Sequence, residues 1–179
     1  APTEAPATEA PAEPAKDIAI LYTNDVHTYI DSVLSYDVIS GVKAELLAQG
    51  YEVLLVDAGD HIQGTAYGSM DKGETIVKLM NAAGYDIATL GNHEFDYGQE
   101  ALAQRINDAV FPFLGANIHV DEKVAKIAQP EPYTIVKVDG IKIAILGLVE
   151  ASKKRNGEWL PSTHPDRLKG VTFTNPIET

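Results

Sequence analysis

The stretch Thr89-Leu90-Gly91-Asn92-His93-Glu94-Phe95-Asp96-Tyr97-Gly98 places an amide, an imidazole and two carboxylates directly after an apolar segment that ends at Leu90. A turn this polar, following a buried strand, is where an α/β fold positions functional side chains. Taken alone, the stretch also fits an ordinary loop between a strand and a helix, with an Asn turn and a capping Asp. The segments before it decide between these two interpretations.

Two earlier apolar segments end in the same way. The run at 18–22 leads into Thr23-Asn24-Asp25-Val26-His27, and the run at 53–56 leads into Asp57-Ala58-Gly59-Asp60-His61. Helical periodicity separates the runs, and strands that alternate with helices pair in parallel. The C-terminal ends of parallel strands meet at one edge of a sheet. The sequence therefore predicts that the three polar turns share one site.

The spacing of apolar residues predicts an α/β fold, with a βαβ region followed by an antiparallel hairpin. The expected strands are 17–23, 52–56, 86–90 and 113–118. The expected helices are 36–49, 74–83 and 99–110. The glycine-rich segment 64–73 predicts a loop. Asp139-Gly140 predicts a type I′ turn between strands at 133–138 and 141–149. We expect the first strand to be fully buried and the last one to enter the core.

Composition restricts the classes of function. A chain of 179 residues with 45% apolar residues suits one domain with a hydrophobic core. Its formal net charge of −12 argues against binding to a nucleic acid polymer or an anionic membrane, and it suits carboxylates that are neutralised by divalent cations. The absence of cysteine excludes disulfides, zinc-thiolate sites and cysteine nucleophiles. No apolar run approaches the roughly 20 residues of a membrane span, so direct membrane insertion is not expected.

The two ends of the sequence differ from its middle. Residues 1–16 contain only Ala, Pro, Thr and Glu before a final Lys, which predicts a disordered, extended linker ahead of a folded part at 17–179. Either a flexible terminus or a tether would account for this composition. We favour a tether for a bacterial domain that is extracellular, periplasmic or attached to the cell surface.

At the other end of the sequence, Asn175-Pro176 is typical of a helix start. The sequence is therefore expected to stop inside a domain, truncated at its C-terminus, and to self-associate through exposed strand edges.

Four residues of the polar turns are candidate metal ligands. Asp25 and His27 lie two apart in an extended segment, so their side chains point in the same direction. A carboxylate oxygen and an imidazole together suit zinc, manganese, iron or cobalt. Asp60 offers a carboxylate that can bridge two cations. Asn92 offers an amide oxygen beside His93.

These motifs resemble those of the calcineurin-like metallophosphoesterases, and within them the 5′-nucleotidase family. The resemblance rests on ILYTNDVH at 20–27, LLVDAGDHIQG at 54–64, TLGNHEFDYG at 89–98 and FTNPIET at 173–179. It implies a two-sheet α/β/β/α sandwich, of which this chain supplies the N-terminal part of the metallophosphatase domain. For the parent protein it implies hydrolysis of nucleotide phosphate esters, with a metal-bound water as nucleophile. The cofactors would be two divalent metal ions drawn from zinc, manganese, cobalt, iron and magnesium.

The resemblance also implies a role for each matching ligand. Asp25 and His27 would bind the first metal. Asp60 would bridge both metals, and Asn92 would bind the second metal and contact the substrate. Family members supply further histidines, and usually a Gln, from later strands, and they carry a C-terminal domain that binds the nucleotide base. We therefore expect this chain by itself to bind one cation tightly, or none.

By the same resemblance, His93 and Asp96 would be catalytic. His93 would contact the substrate phosphate and protonate the leaving oxygen or stabilise charge, while Asp96 holds it in place. This pairing agrees with general chemistry, because a carboxylate fixes the imidazole tautomer and raises its pKa. Two alternatives remain open: a catalytically incompetent fragment, or a surface binding module that kept the fold and lost the reaction. The His93–Asp96 pair argues against the module, since a module has no need of it.

Several nearby polar residues are expected to have structural roles and not to bind metal or substrate. Asp57 is expected to be a hydrogen-bonding carboxylate at a strand end, and Glu94 to face solvent or cap the next helix. His61 either supports the ligands from behind or is a plain loop residue, and we favour the loop residue. Asn117 either orients the metal loops or forms a turn, and we favour the turn. The remaining polar and aromatic candidates are expected on the surface or in loops: His119, Trp159, His164 and the run Lys153-Lys154-Arg155.

Overall fold

The computed structural model describes residues 16–150 and 157–179. Residues 1–15, which hold nearly all of the predicted linker, lie outside the described residues, and so does the Lys153-Lys154-Arg155 run at 151–156. Across the two described ranges, no helix combines the length and the apolar character that a bilayer crossing requires.

A four-stranded parallel sheet carries the three polar turns. Its strands, in spatial order, are β1 (Ile18–Thr23), β2 (Glu52–Asp57), β3 (Ile87–Thr89) and β4 (Phe113–Leu114). The register places Thr23 opposite Asp57 and Asp57 opposite Ala88, so the strands end nearly level with one another. The turns therefore leave the sheet side by side. This arrangement confirms the predicted βαβ region and its parallel pairing.

Among the described residues, four α-helices and one 3₁₀ turn (His93–Phe95) accompany these strands. The α-helices are α1 (Tyr36–Ala48), α2 (Ala66–Ser69), α3 (Glu74–Ala83) and α4 (Gln99–Asp108). Three of them match the predicted helices to within two residues. The short α2 lies inside the segment predicted as a loop, and it forms because Thr65 caps it by accepting a hydrogen bond from the Tyr67 N–H.

The hydrophobic core joins the sheet to α3 and α4. Leu55 of β2, Ile76 and Met80 of α3, and Leu102 of α4 are almost fully buried in one cluster that also includes Phe113 of β4. Burial of each such side chain contributes roughly 1.5–3 kcal/mol. This packing holds the strand ends, and hence the polar turns, in fixed relative positions.

The prediction of one strand at 113–118 is wrong. Gly115-Ala116-Asn117 divides it into β4 and a separate β5 (Ile118–Val120). The second strand belongs to another sheet, where it pairs antiparallel with β8 (Val171–Phe173). A Cβ at Gly115 would lie 2.6 Å from Ile118 Cδ1, so the chain packs too tightly at the break for a larger residue.

Asn117 does more at this break than form a turn, the role expected of it. Its buried side chain donates hydrogen bonds to Val149 O at 2.9 Å and Thr174 O at 3.0 Å. Its Oδ1 accepts a hydrogen bond from Val149 N–H at 2.9 Å. The side chain thus joins the break at 115–117 to the backbone of Val149 and Thr174.

The predicted hairpin is confirmed, with a correction to its second strand. β6 (Tyr133–Val138) pairs antiparallel with β7 (Ile141–Leu146) around Asp139-Gly140. Asp139 and Gly140 have φ values of 44° and 81°, as a type I′ turn requires. β7 ends three residues earlier than expected, and its Ile141 and Leu146 are each 54% exposed. The chain reaches the core just after the strand, at Val149, which is 2% exposed.

β1 is an edge strand and is not fully buried as expected. Within the described residues only β2 pairs with it, and Ile20 and Tyr22 are 53% and 75% exposed. Helix α1 beside it also exposes apolar side chains, including Val42. An apolar groove of ≈ 490 Å³ lies between the strand, the helix and the loop that connects them.

A turn, not a helix, follows Thr174. Asn175 Oδ1 accepts a hydrogen bond from Ile177 N–H at 3.0 Å, and Asn175 O accepts one from Glu178 N–H at 3.0 Å. Asn175 therefore caps a turn, which is the local geometry that its sequence pattern indicated.

Candidate metal centre

The three polar turns meet at the C-terminal edge of the parallel sheet. Asp25 N–H donates to Gly59 O at 3.1 Å, and His27 N–H donates to Asp60 O at 3.0 Å. From the other side, His93 N–H donates to Asp60 Oδ1 at 2.7 Å. The Asp60 turn is therefore the central one, and it fixes the positions of both neighbours.

Four residues in these turns have left-handed backbone conformations. Asp25, His27, Thr28 and Asp60 have φ values of 51°, 46°, 60° and 59°. Such a conformation costs a non-glycine residue of order 1–3 kcal/mol and persists only where the surroundings impose it. Thr28 contributes to this constraint, because its buried hydroxyl lies 2.7 Å from Thr65 Oγ1. Strain at the candidate ligands supports a functional role for them.

Two glycines let the second and third polar turns pack backbone against backbone. A Cβ at Gly59 would lie 2.6 Å from Gly91 N, and a Cβ at Gly91 would lie 2.3 Å from Asp60 Oδ1. Neither distance can accommodate a side chain. Glycine directly before Asp60 and before Asn92 is therefore required by the close approach of the two turns.

Three side chains with metal-binding atoms cluster at this edge. The donor atoms of His27, Asp60 and His93 all lie within 4.8 Å of one another. Asp25 borders the cluster, with its Oδ1 3.6 Å from His27 Nε2. Imidazole nitrogens and carboxylate oxygens are the ligands that zinc, manganese, iron and cobalt accept. Of the predicted ligands, His27 and Asp60 lie in the cluster, Asp25 lies beside it, and Asn92 directly precedes His93.

The ring of His27 is oriented for ligation. Its Nδ1 lies 3.0 Å from Gln63 O and 3.1 Å from Gln63 Oε1. Both oxygens accept hydrogen bonds, so Nδ1 carries the proton and Nε2 is left free for a cation. Gln63 belongs to one of the quoted motifs, yet no role was predicted for it.

The carboxyl group of Asp60 is only partly compensated by nearby positive charge, which His93 supplies. Burial, reinforced by the nearby Glu94 carboxylate, raises the pKa of Asp60 to about 6. A divalent cation among the clustered donors would stabilise the ionised form and reverse this shift. The residues present therefore fit a metal ion in both donor chemistry and charge.

Glu94 does not face solvent or cap a helix as expected. It is fully buried, and its carboxylate accepts hydrogen bonds from the N–H groups of Asp60, His61 and Ile62 at 2.8, 2.8 and 3.3 Å. It also accepts one from Gly91 N–H at 2.6 Å. The successive N–H groups of the Asp60 turn converge on one point and need an acceptor there. Glu94 thereby ties the second polar turn to the third.

The prediction that His61 is a plain loop residue is also wrong. It is fully buried, its Nδ1 lies 2.8 Å from Asp57 Oδ1, and its ring stacks on Phe113. Burial alone would lower the pKa of His61, but Glu94 and Asp57 outweigh it and raise the pKa to about 9. The charged ring offsets part of the negative charge behind the site.

Asp57 is a hydrogen-bonding carboxylate at a strand end, as predicted. Besides its contact with His61, it accepts a hydrogen bond from Thr23 Oγ1 at 2.5 Å.

His93 and Asp96 form a close imidazole–carboxylate pair. His93 Nδ1 lies 2.7 Å from Asp96 Oδ2, and the His93 ring lies edge-on to the ring of His27. Burial would lower the pKa of His93, but the hydrogen bond and charge of Asp96 outweigh it and raise the pKa. Since Nδ1 faces Asp96, Nε2 is the nitrogen available to a substrate or a cation.

A later segment, residues 161–167, also lies against the site. Asn92 Nδ2 donates to the hydroxyl of the buried Ser162 at 3.0 Å. The Arg167 guanidinium donates to Asp96 O at 3.1 Å and to Pro161 O at 3.0 Å. Nothing in the sequence pointed to this segment, because it is about 70 residues away from the turns that it contacts.

The other candidate residues lie outside the cluster, as predicted. His119 is exposed, with Nε2 3.3 Å from Thr174 Oγ1. His164 packs its ring against Trp159, which is 39% exposed. None of these three belongs to the group of clustered donors in the described part of the chain.

Comparison with known proteins agrees with the fold and the motifs. No protein-family model matches the chain. The solved structure of the Haemophilus influenzae NAD nucleotidase has a TM-score of 0.75 and 31% identity, over 89% of this chain and 33% of that chain. A calcineurin-like phosphoesterase from Bacillus subtilis has a TM-score of 0.67 and 26% identity, over 92% of this chain and 56% of that chain. The fold is thus that of the calcineurin-like phosphoesterases.

Sequence similarity extends over the same region. The NAD 5′-nucleotidase of Haemophilus influenzae is 34% identical over 189 residues, which covers 97% of this chain and 30% of the relative. The chain belongs to the 5′-nucleotidase family of calcineurin-like metallophosphoesterases and corresponds to its N-terminal metallophosphatase domain. It spans between 25% and 32% of the lengths of the curated relatives. The family resemblance drawn from the motifs is confirmed.

Proposed function

We propose that residues 17–179 form part of a 5′-nucleotidase-like enzyme that hydrolyses nucleotide phosphate esters with water at two divalent cations. The observation that carries this proposal is the convergence of His27, Asp60 and His93 at one edge of the sheet, with donor atoms within 4.8 Å of one another. The 5′-nucleotidase names of the relatives support nucleotides as the substrate class. The net charge of −12 favours a small substrate over a nucleic acid polymer.

In this proposal, Asp25 and His27 hold the first cation. Asp60 would help to hold both cations, and Asn92 would hold the second and contact the substrate. When bound, the cations supply positive charge that polarises the phosphate and lowers the pKa of the attacking water. The second position has only two proposed donors from this chain, Asp60 and Asn92, so we expect at most one tightly bound cation.

His93 is proposed to give a proton to the leaving oxygen or to stabilise charge on the phosphate. Asp96 Oδ2 lies 2.7 Å from His93 Nδ1, and this hydrogen bond together with the charge of Asp96 raises the pKa of the ring, which favours a protonated imidazole that can give a proton from Nε2. The geometry also permits His93 to be a metal ligand, because its donor atom belongs to the cluster. Substitution separates these two roles.

Replacing His93 with alanine should abolish turnover without abolishing cation binding. We expect Mn²⁺-dependent hydrolysis of a chromogenic phosphate ester to fall by about 10²-fold or more in His93→Ala, as is usual for loss of a general acid. The Mn²⁺ dissociation constant should stay within about twofold of the wild-type value if His93 is not a ligand. The matched control is His119→Ala, which removes an exposed imidazole outside the cluster and should change neither quantity.

Other results would lead to different conclusions. A parallel loss of Mn²⁺ affinity in His93→Ala would assign His93 as a ligand. A wild-type chain that binds Mn²⁺ but shows no turnover would favour the alternative, a catalytically incompetent chain or a binding module. A chain that does not bind Mn²⁺ even weakly, at any concentration tested, and does not hydrolyse the ester would contradict the proposed site.

We also propose that the chain self-associates through the surface formed by β1 and α1. Ile20, Tyr22, Tyr29, Leu34 and Val42 are exposed on these elements and the loop between them. A contiguous apolar surface beside an open strand edge favours pairing with another polypeptide. A second copy of the chain offers both an identical open edge and an identical apolar surface.

A charge placed on the β1–α1 surface should weaken this association. We expect Val42→Glu to raise the dimer dissociation constant by about tenfold or more, since a carboxylate would be buried against apolar side chains. Sedimentation velocity over a concentration series measures the change. Val110→Glu, at a residue that is 79% exposed after α4, is the matched control. A wild-type chain that remains monomeric at high concentration would contradict the proposal.

We further propose an extracellular, periplasmic or surface-attached location in a bacterium. The Ala/Pro/Thr/Glu composition of residues 1–16 supports this, because such a segment suits a spacer between an anchor and an exported domain. Fractionation of the native bacterium should find the protein outside the cytoplasm. Recovery in the cytoplasmic fraction alone would contradict this location.

A further inference from the structure

We propose that Ser162 is a positioning residue that holds the Asn92 carboxamide with its oxygen toward the metal centre. This inference rests on the proposed function. Asn92 Nδ2 donates to Ser162 Oγ at 3.0 Å, and the serine is only 3% exposed. The contact joins a candidate ligand to a segment 70 residues later in the chain.

The chemistry of a carboxamide gives this contact its importance. The two ends of the group have nearly the same shape, but only the oxygen can bind a cation. When the oxygen faces the cation, the amide nitrogen faces the protein and needs an acceptor there, because a buried N–H without one is costly. Ser162 Oγ supplies that acceptor. In the observed contact, Asn92 Oδ1 is therefore left free to act as a ligand.

A second contact keeps the serine in place. The Arg167 guanidinium donates to Pro161 O at 3.0 Å, within the same segment, and to Asp96 O at 3.1 Å, in the turn that carries the catalytic pair. Arg167 thus clamps residues 161–167 onto the turn that follows Asn92. Partners of this kind, one step removed from the cation, typically change metal affinity by 10–100-fold when they are lost.

Thr163 offers a matched comparison. It is 1% exposed, and its hydroxyl has no hydrogen-bond partner in the described part of the chain. Thr163→Val removes that hydroxyl while it preserves the shape of the side chain. If Mn²⁺ affinity falls only because the segment 161–167 is perturbed, it should fall in both Ser162→Ala and Thr163→Val. If it falls because Asn92 is no longer held in position, it should fall in Ser162→Ala alone.

The first measurement needs no metal. In the ¹⁵N-labelled chain, the side-chain amide signal of Asn92 is identified by its disappearance in Asn92→Asp. We expect Ser162→Ala to speed the exchange of these amide protons with water by about tenfold, while Thr163→Val leaves it within about twofold. Equal exchange rates in the two variants would overturn the Ser162–Asn92 contact.

The second measurement is the Mn²⁺ dissociation constant, followed by electron paramagnetic resonance. We expect Ser162→Ala to weaken binding by about tenfold and Thr163→Val to change it by less than about twofold. In the Asn92→Asp background, the same Ser162→Ala change should have less than about a twofold effect, because a carboxylate presents an oxygen in either orientation.

The outcomes separate this inference from the function on which it rests. Faster amide exchange without weaker Mn²⁺ binding, or an equal loss of affinity in both backgrounds, overturns the positioning role. A wild-type chain that does not bind Mn²⁺ even weakly overturns the proposed function and the positioning role together, while the exchange measurement still decides whether the Ser162 contact exists.

Discussion

Glu94→Ala is expected to lower the free energy of unfolding by about 4 kcal/mol. The carboxylate is fully buried and accepts hydrogen bonds from four backbone N–H groups, at distances from 2.6 to 3.3 Å. Each buried donor left without a partner costs about 1–3 kcal/mol, and partial relaxation of the turns reduces the sum. Loss of the charge also removes the largest favourable electrostatic contribution to the protonated His61 ring.

Chemical denaturation followed by circular dichroism measures this loss. Glu94→Gln is an intermediate variant. Its amide oxygen can still accept hydrogen bonds from one pair of N–H groups, but its NH₂ group faces the other pair and cannot accept from them. We therefore expect Glu94→Gln to lose about half as much stability as Glu94→Ala. Glu45→Ala, at an exposed position of α1, is the control for removal of a carboxylate and should change stability little. An alanine variant within about 1 kcal/mol of wild type would show that water satisfies the donors and that Glu94 does not hold the turns together.

The sequence could predict the part of the site that depends on strand order. Apolar segments that end in Asp25, Asp60 and Asn92 alternate with helices, so parallel pairing alone brings the three turns to one edge. The observed register, which aligns Thr23 with Asp57 and Asp57 with Ala88, results from that rule. Candidate metal ligands could be named before the fold was known because their position depends on topology and not on loop detail.

The direction of a side chain within a turn could not be predicted in this way. His61 lies in an irregular segment and Glu94 lies in a single 3₁₀ turn (His93–Phe95), and neither is long enough for a periodicity that distinguishes inward from outward positions. Charged residues are mostly exposed, so solvent exposure was the natural expectation for Glu94. The structure reverses it because the Asp60 turn presents three N–H groups to one point, a property of the fold that the sequence does not display.

The division of the strand at 113–118 and the exposure of β1 have related physical causes. Apolar periodicity indicates that a face is suited to burial, but it does not identify the element that covers it. Ile20 and Tyr22 are therefore exposed on a strand whose sequence is typical of a core strand. At the break, Gly115 and Asn117 redirect the chain because of contacts with Ile118 and Val149, which only tertiary structure brings together.

Gly91→Ala is expected to have the second large effect, and it should weaken both folding and cation binding. The new Cβ would lie 2.3 Å from Asp60 Oδ1 and 2.7 Å from Asp60 N. Asp60 cannot move away freely, because its Oδ1 accepts from His93 N–H and its own N–H donates to Glu94. We expect about 3 kcal/mol of lost stability from overpacking. A displacement of about 1 Å at Asp60 should weaken Mn²⁺ binding by about 10²-fold.

Gly41→Ala is the matched control for this prediction. A Cβ at Gly41 meets nothing within 4 Å, and the residue lies inside α1, where alanine is favoured over glycine by roughly 0.5–1 kcal/mol. The same substitution should therefore stabilise the chain at Gly41 and leave Mn²⁺ affinity unchanged there. If Gly91→Ala kept wild-type Mn²⁺ affinity, the close packing of the second and third polar turns would not be what positions Asp60. The glycine before Asn92 would then serve only local backbone geometry, and the site would depend on the hydrogen bonds of Glu94 alone.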